Sequence, residues 1–307
     1  MRLGVLDIGS NTVHLLIVDA HPGARPVAEA SHKSVVRLMR YLDADGSITD
    51  AGVTALVTAI GDAARIAARS NLDELLPMAT SAIREATNGR EVIALIERET
   101  GLTLQVLSGE DEAKLTFLAV RRWYGWSAGN ILLFDIGGGS LEIALGADEE
   151  ADVALSLPLG AGRSTVGFLF DDPPTQAQQD ALRSHARAVI AEARAAFDGL
   201  QKPTHIVGSS KTIRSLARLA GSVVDGIGDD RMRLRRSQLD DWVPRLAQIP
   251  ATSRPALPGI TMDRTFQIVA GGIVLSEAMA GFNVRELDVS PWATREGVLL
   301  RYLDHLA

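Results

Sequence analysis

A short hairpin signature that occurs twice is the feature that most constrains this chain. Leu3 to Val18 reads as an apolar strand, a tight turn and a second strand, with the turn formed by Asp7-Ile8-Gly9-Ser10-Asn11-Thr12. Asn130 to Leu145 repeats the plan around Asp135-Ile136-Gly137-Gly138-Gly139-Ser140. Setting Asp7 on Asp135 needs no gap, aligns Gly9 with Gly137 and Thr12 with Ser140, and keeps the aliphatic residues in register. Each copy fits a β-hairpin whose glycines would supply unusual backbone angles. One such turn is an ordinary structural hairpin. Two ungapped copies, each opening one half of the chain, point to duplication. Duplicated halves that present their turns to each other would enclose a cleft.

The rest of the chain alternates between two periodicities. Helices are expected at about Asp50–Ser70, Asn88–Glu99, Gly109–Trp123, Thr175–Asp198, Ser209–Leu219, Ser237–Leu246, Arg264–Ala280 and Thr294–Leu306. Strand-like runs include Pro77–Thr80, Thr103–Leu107, Val153–Leu157, Thr204–Val207 and Val284–Asp288. Strands followed by helices indicate α/β layers. The stretch Tyr124 to Asn130 precedes the second hairpin and is the expected boundary. Asp171-Asp172-Pro173-Pro174 and Pro250–Pro258 read as surface loops.

Charge narrows the function. With 31 Lys and Arg against 38 Asp and Glu the net charge is −7, so no overall field favours nucleic acid. A polyanionic substrate would have to be met by local cations. The chain has no cysteine, which excludes disulfides and thiolate metal sites and agrees with a cytoplasmic location. Asp7 interrupts the first apolar stretch before a signal sequence could form. The apolar run from Gly271 to Phe282 is short and contains Glu277, so no membrane association is expected.

Several residue groups could carry chemistry. Glycine- and hydroxyl-rich turns after buried strands expose backbone amides, which phosphate oxygens accept readily. Ser10, Asn11 and Thr12 in one turn, with Gly137, Gly138, Gly139 and Ser140 in the other, could grip a phosphate chain. Asp7 and Asp135 end their strands, where a carboxylate can hold Mg²⁺ or bond the turn amides. Glu142 follows Ser140 on the returning strand. Its counterpart is His14, so this acid belongs to one half alone.

Ser108-Gly109-Glu110-Asp111-Glu112-Ala113 opens a helix, with Ser108 as N-cap and Asp111 completing a capping box. Dipole and cap account for Glu110 and Asp111. Glu112 shares a face with Leu115 and Ala119, so it either points inward, where it could deprotonate a water, or is one more acid of the first turn. Arg84 follows a strand end in Thr80-Ser81-Ala82-Ile83-Arg84 and is either a phosphate fork or a surface arginine. Lys33, Arg37 and Arg40 on a probable strand carry the same two readings. Arg231, Arg233, Arg235 and Arg236 read as an outer groove for a polyanion or as a solvated face. Gly208-Ser209-Ser210-Lys211-Thr212 joins a strand to a helix, a junction that aims amides at an anion, without the spacing of a Walker loop.

Together these residues resemble the exopolyphosphatase/guanosine pentaphosphate phosphatase family of the actin, hexokinase and Hsp70 superfamily. The motifs are Leu6 to Thr12, Thr80 to Arg84, Ser108 to Ala113, Asp135 to Glu142, Leu157 to Arg163, Val207 to Thr212 and Ser290 to Gly297. The resemblance implies two actin-like α/β domains around an interdomain cleft, residues 1–124 plus 292–307 and residues 125–291, with the last helix crossing back. It implies Mg²⁺-dependent hydrolysis of terminal phosphoanhydrides, with Glu112 as the base for water. It further implies metal and phosphate contacts from Asp135, Gly137–Ser140 and Glu142, a phosphate contact from Arg84, and a homodimer.

Two departures stand out. Asp111-Glu112 replaces a frequent glutamate pair, and Lys211 lies in a loop usually richer in glycine and threonine. The chain also resembles the short actinobacterial form without an added C-terminal helical region, so short polyphosphate chains are the expected substrate and guanosine pentaphosphate the alternative. A sugar or acetate kinase, a non-catalytic sensor of guanosine tetraphosphate or polyphosphate, and an actin-like polymer are the rival readings.

Overall fold

The computed structural model describes residues 1–23, 25–224 and 231–306. Two compact units emerge, Met1–Leu115 with Thr294–Ala307, and Thr116–Ala293. Unit 1 opens with the antiparallel strands β1 (Arg2–Ile8), β2 (Thr12–Asp19) and β3 (Val27–Val35). Then come α1 (Asp50–Ala68), β4 (Glu74–Ala79), α2 (Ser81–Arg84), α3 (Gly89–Thr100), β5 (Gln105–Val106) and the start of α4 (Gly109–Tyr124). Its sheet has the order β3-β2-β1-β4-β5, with β4 and β5 running parallel to β1.

Unit 2 repeats this plan. It begins with the antiparallel β6 (Ile131–Ile136), β7 (Leu141–Gly146) and β8 (Val153–Leu157). There follow α5 (Ala161–Phe168), α6 (Gln176–Arg194), β9 (His205–Ser209), α7 (Ser210–Ala220), β10 (Ser222–Val223) and β11 (Met232–Arg235). Next are α8 (Arg236–Ala247), α9 (Ile268–Gly281) and β12 (Glu286–Val289), after which α10 (Thr294–Asp304) belongs to unit 1. The sheet order β10-β11-β12-β9-β6-β7-β8 contains β8-β7-β6-β9-β12, the counterpart of β3-β2-β1-β4-β5. Duplication, expected from the two turns alone, extends to the strand order of both sheets.

The turns themselves are built alike: Gly9 N donates to Thr12 O at 3.0 Å, and Gly137 N to Ser140 O at 2.9 Å. The expected unusual backbone angles are absent, since none of Gly9, Gly137, Gly138 or Gly139 is among the glycines of positive φ. What the second turn requires is space. A Cβ on Gly160 would lie 2.2 Å from Gly139 C and 2.3 Å from Ser140 N.

The chain passes between units inside α4, not at the Tyr124–Asn130 stretch. The reason is packing: Leu115 joins a core with Leu3, Met78 and Leu299, whereas Phe117 and Val120 pack with Ile131, Leu133 and Val207. By length and composition α1 could cross a membrane, but its Leu56, Ile60 and Ala63 face lies in the core with Leu15 and Ile96. The apolar α9 is buried almost throughout, and its Glu277 is paired with Arg183 and Arg187 of α6.

Candidate active site

In unit 1 the β1–β2 turn is braced by its neighbours. Ser10 and Asn11 are buried, the Ser10 hydroxyl lies 3.1 Å from the Ser81 hydroxyl, and Thr80 N donates to Ile8 O at 3.2 Å. Thr12 is half-buried at the head of β2. Because β4 is parallel to β1, the Thr80–Arg84 segment leaves its strand at the same sheet edge as the turn. Arg84 Nη1 donates to Leu107 O at 2.8 Å and to Glu112 Oε2 at 3.2 Å, and Nη2 donates to Glu85 Oε1 at 3.4 Å.

Glu112 owes its place to the helix start. Asp111 N donates to Ser108 Oγ at 3.0 Å, while Ser108 Oγ donates to Asp111 Oδ2 at 2.6 Å, which caps α4 and sets its first turn. Glu110 then faces solvent and pairs with Lys114 one turn on. Glu112 turns inward instead and is only 9% exposed. Glu112 therefore points inward, and Arg84 is half-buried against it.

Asp7 is opposed to His14 across β1 and β2, and His14 Nδ1 meets Arg295 Nη1 of α10. Burial raises the Asp7 carboxyl above the usual carboxylate range, with Arg295 opposing the shift and Glu296 adding to it. The fold therefore prefers the neutral acid. Stability from this group is fully present below the unfolded value of about 3.9 and is lost as pH rises through the folded value. Without divalent cations, Asp7→Asn is expected to melt above the parent near neutral pH and to converge with it as the pH falls toward about 4. Thermal denaturation across pH checks this.

Unit 2 presents its turn differently. The carbonyls of the glycine turn are engaged by the start of α5: Ala161 N donates to Gly137 O, Arg163 N to Gly138 O, and both Gly160 N and Arg163 Nε to Gly139 O. These donors engage the turn's carbonyls from behind, while the Gly137 amide closes the turn on Ser140 O. Asp135 and Glu142 are cross-strand partners and both are buried. Ser156 of β8 donates to Glu142 Oε1 at 2.8 Å. On its other side Asp135 is opposed to Ser209 of β9.

The Gly208–Lys211 loop departs from expectation. Ser209 is fully buried and its hydroxyl donates to Trp292 O at 3.0 Å, which makes its side chain a structural tie. Lys211 Nζ bonds Asp263 Oδ2 at 2.9 Å, so an anion would have to compete with that carboxylate. Ser210 has a positive φ of 80°, and its Oγ accepts from Ile213 N. The arginine cluster is a neutralised face. Arg233 pairs with Asp288 and Glu286, Arg235 with Glu286, and Arg236 with Asp240. Lys33 lies on β3 as expected, but Arg37 and Arg40 fall beyond its end.

Two contributors lie outside the residues singled out from sequence. Ser81 bonds Ser10, and Gly160 with the α5 amides backs the glycine turn. Their signal lay in the motifs themselves, as a hydroxyl after Thr80 and as the Gly160-Ala161-Gly162 run.

A buried acid held by an arginine, two phosphate-type turns and an opposed pair of carboxylates form the local geometry that known proteins can be compared with. The model of the Ppx/GppA phosphatase family matches residues 16–306. Exopolyphosphatase 1 of Mycobacterium tuberculosis is 48% identical over 305 residues, covering 99% of this chain and 89% of that protein. A guanosine-5'-triphosphate,3'-diphosphate pyrophosphatase of Aeromonas salmonicida is 26% identical, over 96% of this chain and 58% of its own length. The crystal structure of an exopolyphosphatase from Cytophaga hutchinsonii matches with a TM-score of 0.87 at 25% identity, covering 99% of this chain and 98% of that one. Nearly the whole chain thus matches one family in sequence and in fold, and it belongs to the Ppx/GppA phosphatases, with their two-domain actin-like architecture.

Proposed function

We propose that this chain is an exopolyphosphatase that releases orthophosphate from the end of a short polyphosphate by attack of water. The observation that carries the reading is Glu112, an acid withdrawn from solvent with one oxygen on Arg84. A carboxylate so placed can accept a hydrogen bond from water and take its proton as the phosphorus–oxygen bond forms. The bond to the bridging oxygen breaks in line, and the shortened chain leaves as a phosphate anion that requires no added proton. Arg84 and the amides of the Ser10–Thr12 turn offset charge on the transferred group. The amides of Gly138, Gly139 and Ser140 are the equivalent donors of unit 2 for phosphate oxygens.

The donor set fits Mg²⁺. Asp135 and Glu142 are oxygen donors opposed across two strands, and Asp7 ends the equivalent strand of unit 1. Among the described residues no cluster of three or more His, Cys, Asp or Glu forms an all-protein cage. Mg²⁺ commonly takes one or two carboxylates and completes its shell with water and substrate phosphates. When bound, the ion would neutralise charge on phosphate oxygens. Relatives named exopolyphosphatase support the substrate class, and the Aeromonas relative supports guanosine pentaphosphate as the second candidate.

Orthophosphate release is to be measured from tripolyphosphate, long polyphosphate and guanosine pentaphosphate, each with Mg²⁺ or with EDTA. Release from tripolyphosphate that EDTA abolishes and added Mg²⁺ restores is the expected result. Preference for guanosine pentaphosphate would move the assignment to the second candidate. Binding of all three without release would make the chain a sensor.

A further inference from the structure

Outside glycine, four described residues have positive φ: Arg37 (56°), Asn71 (49°), Ser210 (80°) and Asn283 (56°). Asparagine enters this region readily because its short amide bonds the local backbone. Arg37 and Ser210 lack that compensation, so the surrounding structure must hold them there. Ser210 belongs to the Gly208–Lys211 loop already described. Arg37 belongs to none of the motifs assigned above.

The β1–β2 turn is what holds Arg37. Val36 N and Arg37 N both donate to Asn11 O, at 3.0 and 2.9 Å, and Leu38 N donates to Ser10 O at 2.8 Å. Three successive amides are thus committed to the carbonyls of the Ser10–Asn11 turn. Sheet order places β3 and β4 on opposite sides of the β1–β2 hairpin. Arg37 follows β3 and Arg84 follows β4, so the two arginines flank one turn from opposite sides. Arg37 is half-buried, with Nε out of contact with solvent. A turn of this shape is met most cheaply by glycine, and a solubilising arginine requires neither burial nor a left-handed backbone.

We infer that Arg37 is a second phosphate-binding arginine, contacting a phosphoryl group adjacent to the one that Arg84 and Glu112 serve, on the basis of the proposed phosphoanhydride hydrolysis. A guanidinium fork bonds two oxygens of such a group at once. The adjacent phosphoryl is not transferred, so it is held alike in ground and transition states. Its loss is read in KM and not in kcat. Arg37 therefore favours substrates with at least two linked phosphates over orthophosphate or a monoester.

Arg37→Gly tests this, because glycine keeps the left-handed backbone and removes only the side chain. KM for tripolyphosphate is expected to rise about tenfold or more, the scale of a lost charged hydrogen bond. The kcat should stay within a few-fold, and Tm should equal or exceed that of the parent. Calorimetry on a Glu112→Gln background separates binding from turnover: tripolyphosphate with Mg²⁺ should weaken by a similar factor, orthophosphate hardly at all. If Arg37→Gly does not fold, Arg37→Asn takes its place, since asparagine also tolerates this φ. Unchanged KM and tripolyphosphate affinity, or a failure of both variants to fold, would overturn the inference and leave Arg37 a structural residue. A parent inactive on every phosphoanhydride would overturn the proposed activity instead, and the calorimetric arm would still decide the role of Arg37.

Discussion

Glu112→Gln is expected to lower orthophosphate release from polyphosphate by about two to four orders of magnitude, the range for a lost general base. The amide keeps the shape of the side chain, and its carbonyl oxygen can still accept from Arg84, which holds Glu112 Oε2 at 3.2 Å in the parent. It cannot take a proton from water. Substrate binding should survive, because Arg84 keeps its bond to Leu107 O and the Ser10 turn remains braced by Ser81. Steady-state kinetics with tripolyphosphate should therefore show the loss in kcat with KM within a few-fold. Thermal melting of the variant guards against a trivial explanation. Near-parental turnover in a folded variant would remove Glu112 from the chemistry.

Gly160→Ala carries the second large effect, in stability and activity together. A Cβ there would sit 2.2 Å from Gly139 C, 2.3 Å from Ser140 N and 2.5 Å from Gly139 N. All three contacts are backbone, so no side chain can rotate away. Overpacking of this kind commonly costs about 1–3 kcal/mol, and more where only main chain can move. Relief requires α5 or the glycine turn to shift, and both lie behind the amides proposed to face phosphate. The variant is expected to lose several degrees of Tm and most of its phosphate release. Gly167→Ala in the same helix, where an added Cβ meets nothing within 4 Å, should retain both. A Gly160→Ala protein that melts and turns over like the parent would show that the turn has more freedom than this packing allows.

Much of the fold was legible because its strongest signals are periodic. Each of the eight expected helices has a counterpart, since an apolar stripe at helical spacing, as on α1 with Leu56, Ile60 and Ala63, has only one way to be buried. The omissions are equally physical. β3 is expected only around Lys33, because its first half, Val27 to Ser31, is exposed at the sheet edge and carries no alternation to mark it. α5 contains Gly162, Gly167 and two β-branched residues and would not be picked by propensity. It forms because its first amides find the carbonyls of Gly137 and Gly138, contacts that lie far outside any local window.

The candidate site divides along the same line. Sequence alone determined the duplicated hairpins and the family, and it singled out Glu112, Arg84, Asp135 and Glu142 as candidates, because those depend on residue type and order along the chain. Only the tertiary structure decided which polar groups are committed elsewhere. Ser209 and Lys211 read as phosphate ligands, and the structure shows Trp292 O and Asp263 holding them, so an anion would have to compete. The arginines of β11 and α8 read as a groove or a solvated face, and their pairing with Glu286, Asp288 and Asp240 favours the face. Arg37 looked like a strand arginine until its left-handed backbone was found bonded to the Ser10–Asn11 turn. The physical reason is common to all three. A side chain's chemistry is written in its own residue, but its availability depends on partners that only folding brings within bonding distance.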